Sequence, residues 1–133
     1  MTSKRIAVLE DNPAICEYLT TALEMAGHHV SAHTHGASLL ATLFTESGVR
    51  WPLPYDFVTA DLLLAGELSG LEVIARIRTS ITPAQLPVIM LSGAGDGLLE
   101  QAKCRFPQSP LLRKPFQMKA LLQLIEDFSR STR

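Results

Sequence analysis

Five residues in this chain have side chains and settings suited to phosphoryl or metal chemistry: Glu10, Asp11, Asp61, Ser92 and Lys114. Each follows a short apolar run: Ile6 to Leu9 before Glu10-Asp11, Tyr55 to Ala60 before Asp61, Leu86 to Leu91 before Ser92-Gly93, and Leu111-Leu112 shortly before Lys114-Pro115. Runs of this length, bounded by charged, Gly or Pro residues, read as buried strands. If the strands are parallel, their carboxyl ends share one edge, and three carboxylates, a hydroxyl and an ammonium meet there. Clustered carboxylates are unstable alone: two unit charges about 4 Å apart repel by roughly 4 kcal/mol at an effective dielectric near 20. A hard divalent ion such as Mg²⁺ offsets that repulsion, taking one or two carboxylates together with water and phosphate oxygens. A carboxylate is also a competent nucleophile towards phosphorus, and a lysine and a hydroxyl suit phosphoryl oxygens.

The elements that must position these groups alternate along the chain. Asn12-Pro13 opens a first helix with apolar positions Ile15, Leu19, Ala22, Leu23 and Ala26, and Gly27 is a natural stop. His29 to His33 has strand character. Gly36 begins a second helix with a Leu39, Leu40, Leu43, Phe44 stripe, and Ser47 to Pro54 reads as a loop from its Gly and Pro content. Further helices are expected over Leu71 to Thr79, Leu98 to Cys104 and Gln117 to Phe128. Five strands, each followed by a helix, imply a parallel sheet covered on both faces, with ligand at a switch point beyond the strands' carboxyl ends.

Composition narrows the function. The chain has 133 residues, 47% hydrophobic, with 12 basic and 13 acidic residues and a formal net charge of −1. That suits one domain with one core, and it supplies no basic excess for direct nucleic-acid binding. No apolar run is long enough for a signal peptide or membrane span, so the expected location is the cytoplasm. Cys16 and Cys104 suit buried thiols in a reducing compartment. His28, His29, His33 and His35 fit a polar surface better than a metal site, Trp51 fits a packing plug, and Leu98, Leu99 and Leu124 include surface apolars.

Taken in order and on these elements, Glu10-Asp11, Tyr55 to Leu62, Ser69-Gly70-Leu71-Glu72-Val73, Leu91-Ser92-Gly93 and Lys114-Pro115-Phe116 resemble the response-regulator receiver domain of two-component signalling over essentially the whole chain. The resemblance implies a flavodoxin-like (βα)5 three-layer sandwich with sheet order 2-1-3-4-5. It also implies a single receiver domain over 1–133 with its core at about 4–129. Asp61 would accept a phosphoryl group from a phosphohistidine. Asp11, Asp61 and the Leu63 carbonyl would bind Mg²⁺, with Glu10 reaching it through water. Ser92 would be the switch hydroxyl and Lys114 the phosphate contact, with a cis bond before Pro115.

Implied partners are a sensor histidine kinase or phosphotransfer protein and a downstream protein reached through the face of the fourth helix, fifth strand and fifth helix. There is room for a phosphorylation-dependent homodimer, and no direct nucleic-acid or membrane contact is expected. With no DNA-binding helices after Phe128, the chain would be a single-domain regulator or a receiver separated from a larger protein, whose effector domain would then be the partner. The domain would catalyse only its own phosphoryl transfer and a slow autodephosphorylation. Several positions depart from the family pattern. Glu10 replaces the commoner Asp, Ala65 stands at the usual Pro, Gly70 comes one residue late, Leu111 replaces an aromatic, and Leu63 and Ala94 replace polar residues that orient water. The alternative is a pseudo-receiver scaffold that binds partners regardless of phosphate. A dehalogenase-like phosphatase is excluded because Leu63 stands where its second Asp is required.

Overall fold

In the computed structural model, residues 3–64, 68–93 and 96–131 are described. The main sheet is built from β1 (Arg5–Leu9), β2 (His29–His33), β5 (Phe57–Asp61), β6 (Val88–Ser92) and β7 (Leu111–Arg113). Its order is β2-β1-β5-β6-β7 and every pairing is parallel. Counting only main-sheet strands, this is the expected 2-1-3-4-5 order. Among the described residues there are five helices, one after each main-sheet strand: α1 (Pro13–Met25), α2 (Gly36–Leu43), α3 (Gly70–Arg78), α4 (Asp96–Arg105) and α5 (Met118–Ser131).

Strand alternation divides the interior into two cores. Ala7, Leu9, Val58, Ala60, Val88 and Met90 face α2 and α3, where they meet Leu39, Leu43, Ile74 and Ile77. Ile6, Val8, Phe57, Ile89 and Leu91 face α1 and α5, where they meet Leu19, Leu23, Leu121 and Ile125. The three central strands are buried on both faces, which is why they read as unbroken apolar runs rather than alternating ones. Helix α1 starts where the Asn12 side chain accepts the Ala14 and Ile15 amides, and it ends at Gly27, whose φ of 97° suits glycine.

Several expectations need correction. Within the expected loop at Ser47 to Pro54, Gly48–Val49 forms strand β4 and pairs antiparallel with β3 (Phe44–Thr45), so Phe44 ends α2 and enters a hairpin. Trp51, just after the hairpin, is 56% exposed and is no packing plug, while Leu53 and Tyr55 in the same segment are buried in the core. Cys104 is exposed, on the outer side of α4, and only Cys16 is buried. Two of the histidines leave the polar surface. His28 is buried, its Nδ1 accepting the Lys4 amide at 3.1 Å, and His33 is half-buried with its ring nitrogens 2.7 Å from Ser38 Oγ and 3.1 Å from Tyr55 Oη. Leu99 belongs to the core on the α2 and α3 side with half-buried Leu98 packed against it, and half-buried Leu124 packs against the core on the α1 and α5 side. Ala65 and Ala94 lie outside the described residues. Among the described residues no helix is long and apolar enough to cross a membrane.

Candidate functional site

β1, β5 and β6 deliver their last residues to one edge. Glu10 follows β1 directly, and its backbone N–H donates to the His33 carbonyl at 3.0 Å, which continues the β1–β2 pairing past the strand. Asp61 is the last residue of β5 and Ser92 the last of β6, and both are buried. Lys114 follows β7, held by its N–H on the Ser92 carbonyl at 2.8 Å, and the Lys114–Pro115 bond is cis as the resemblance implied. Trp51–Pro52 is also cis, with no counterpart in the sequence reading.

The side chains converge. Glu10, Asp11 and Asp61 each offer a carboxylate oxygen, and these oxygens lie within 4.8 Å of one another. Lys114 Nζ donates to Glu10 Oε1 and, at 3.1 Å, to Asp61 Oδ2. Asp61 Oδ1 accepts the Leu63 N–H at 3.1 Å, while the Leu63 side chain is exposed. The first helix is capped by Asn12, so Glu10 and Asp11 are left to the cleft rather than spent on capping.

Burial is the largest influence on Glu10. Together with its bond to Asp61 and the Asp61 charge, it pushes the Glu10 carboxyl up to about 7, against the pull of Lys114. Burial alone would depress Lys114, but its bonds to Glu10 and Asp61 and their charges outweigh that and hold it above the usual lysine value. Glu10 Oε2 is buried with no hydrogen-bond partner among the described residues. An orphaned, fully buried carboxylate oxygen beside two more carboxylates is a donor set of hard oxygens, and it fits a Mg²⁺ ion better than any neutral ligand.

Sequence reasoning missed two supports of this cleft. The His33 carbonyl that holds Glu10 is a backbone group and leaves no signature. Gly70 was legible as a motif residue but not as a contact: a Cβ there would lie 2.0 Å from the Asp61 carbonyl oxygen and 2.7 Å from Leu62 Cα. The start of α3 therefore rests directly on the backbone that carries Asp61.

A parallel doubly wound sheet with an acidic, cation-competent cleft at the carboxyl ends of its central strands defines a class of α/β switch-point proteins. Within that class the chain belongs to the response regulator receiver domain family, whose model matches residues 6–126. It is 31% identical to the response regulator receiver protein CpdR of Brucella abortus, over 92% of this chain and 94% of that protein. It is 29% identical to the transcriptional regulatory protein FixJ of Azorhizobium caulinodans, over 90% of this chain but only 52% of that one, so it spans about half of such regulators. A CheY-like receiver domain structure from Methanospirillum hungatei superposes with a TM-score of 0.81 at 20% identity, over 98% of this chain and 97% of that chain, and so shares its fold. Receiver domains as a family are phosphoacceptor signalling domains of two-component systems and bind Mg²⁺ at an acidic pocket.

Proposed function

We propose that this chain is a cytoplasmic signalling switch set by Mg²⁺-dependent phosphorylation of Asp61. The observation that carries the proposal is the convergence of Glu10, Asp11 and Asp61 within 4.8 Å, with Lys114 on Asp61 Oδ2. Glu10, Asp11, Asp61 and the Leu63 carbonyl would hold the ion. When bound, Mg²⁺ neutralises charge on the carboxylates and on a transferring phosphoryl group.

The chain's own residues supply the rest. The Asp61 carboxylate attacks phosphorus and forms a P–O bond as the P–N bond of a phosphohistidine breaks. The electron pair leaves with the imidazole nitrogen, which is then protonated from solvent. Lys114, already on Asp61, transfers its hydrogen bonds to the phosphoryl oxygens, and the Ser92 hydroxyl moves to donate to another. The added charge of about −1.5 to −2 then biases the face formed by α4, β7 and α5. The donor is a sensor histidine kinase or phosphotransfer protein. The output is contact with a downstream protein or a second copy of the chain.

Intact-mass spectrometry after incubation with acetyl phosphate and Mg²⁺ tests this. Wild type should gain about 80 Da, one phosphoryl group, while Asp61→Asn should not. Because Leu63 has no polar group to orient water, the gained mass should persist for minutes after the donor is removed. Decay within seconds contradicts slow autodephosphorylation. No gain from either acetyl phosphate or a phosphorylated kinase favours the scaffold alternative.

A further inference from the structure

At the edge of the sheet opposite the carboxylates, where α3 and α4 end, a cleft of about 190 Å³ is lined by Arg78, Pro83, Arg105, Phe106 and Ser109 among others. Arg78 is the last residue of α3, and its Nη1 donates to the carbonyls of Ile81 at 3.3 Å and Leu86 at 2.9 Å. Those bonds fix the plane of the guanidinium. Its Nη2 is buried and makes no hydrogen bond among the described residues. Buried guanidinium groups ordinarily find a carboxylate, and no described carboxylate pairs with this one. Burial accordingly pushes Arg78 below the ordinary arginine value.

The second cation, Arg105, is exposed and stacks on Phe106, its Cζ 5.2 Å from the ring centroid, with no ion pair among the described residues. None of the described residues lining the cleft is acidic. Both arginines sit in the last turn of a helix, where a cation is favoured. That accounts for their charge, but it leaves Nη2 without an acceptor among the described residues and does not explain why two arginines without an ion pair there line one recess with prolines and a phenylalanine.

We propose that this cleft binds a small oxyanion, carboxylate- or phosphate-sized, with the Arg78 fork as the fixed donor and Arg105 as a movable second one. Planar, bidentate recognition of carboxylate or phosphate is what guanidinium groups do best. A volume of about 190 Å³ suits a small anion better than a nucleotide, since pockets for drug-sized ligands start at roughly 300 Å³. The oxyanion is therefore either free phosphate or an acidic side chain presented by a bound protein. The site is independent of Asp61 chemistry and needs no Mg²⁺.

The test is a titration of the ¹⁵N-labelled full chain in Mg²⁺-free buffer with sodium phosphate or sodium acetate, against sodium chloride at matched ionic strength. The Arg78 and Arg105 Nε–H signals and the Ser109 amide report on the cleft residue by residue, so binding at Lys114 is not mistaken for it. Saturable shifts with an oxyanion and not with chloride are expected. Tighter phosphate binding assigns the site to free phosphate, and tighter acetate binding assigns it to an acidic side chain. Arg105→Gln, on the surface and clear of the Arg78 bonds, should weaken binding by about three- to tenfold. Arg78→Lys should weaken it further by losing the fork. Shifts that match chloride, or an Arg105→Gln affinity equal to wild type, overturn the proposal.

Discussion

Glu10 is fully buried, with one carboxyl oxygen on Lys114 and the other without a partner among the described residues. Burial raises its carboxyl to about 7, so it is largely protonated below that pH and charged above it. Metal binding requires the carboxylate and must release the proton. Mg²⁺ affinity should therefore rise between about pH 6 and 8, and Glu10→Gln should flatten the dependence. Calorimetric titration at several pH values measures it, and a pH-independent wild-type affinity would count against a role for Glu10. At this scale the chemistry-bearing residues were legible, because each sits at the end of an apolar run, where local sequence marks both the strand and its terminus. Placements decided by distant chain were not legible. Nothing near Gly27 reveals that His28 will be buried with its ring on the Lys4 amide, and nothing near Trp51 reveals that it will stay exposed while Leu53 and Tyr55 are buried.

Helix α3 is the element on which the cleft most depends. Ser69 and Glu72 form a capping box, each side chain bonding the other's backbone N–H, at 3.2 and 3.1 Å. Immediately after Ser69, Gly70 lies against the Asp61 carbonyl with no room for a Cβ. Losing the cap by Ser69→Ala should cost about 1 kcal/mol and leave Asp61 in place. Gly70→Ala forces a backbone shift rather than a side-chain adjustment, so it should cost at least about 1–3 kcal/mol and also slow phosphorylation. Urea unfolding alongside the acetyl phosphate assay separates the two variants. A Gly70→Ala protein as stable and as active as wild type would refute the contact.

Every main-sheet strand and every helix was visible in the sequence to within a few residues, since strand runs and helical stripes differ in period. The β3–β4 hairpin was not. Phe44 continues the α2 stripe, and the strands that follow are only two residues each, too short to show a period.

Across the molecule, the acidic cleft proposed for phosphoryl chemistry and the proposed oxyanion cleft occupy opposite edges of one sheet, with two separate cores between its faces and the helices. The doubly wound architecture followed from alternation alone, because a strand buried on both faces must have helices on both sides. What alternation could not supply was the packing at the β2 edge, where His28 and His33 are drawn inward. Burial lowers both below the ordinary value of 6.5. As pH falls through 6.5 the unfolded chain takes up these protons before the folded one, so the histidines favour folding above that pH and their contribution is lost below it. Glu10, raised from 4.5 to about 7, acts in the opposite sense over part of the same window. The informative quantity is thus the difference between proteins: wild type should lose more urea resistance than His28→Gln between about pH 7 and 5.5. Parallel losses would show that His28 titrates as freely folded as unfolded.

A switch of this kind depends on which residue takes the phosphoryl group. Borohydride reduction after treatment with acetyl phosphate and Mg²⁺ converts an aspartyl phosphate to homoserine, and peptide sequencing by mass spectrometry then locates it. Homoserine at position 61, dependent on Mg²⁺, is the predicted result. Homoserine at another acidic residue, with Asp61 intact, would contradict it.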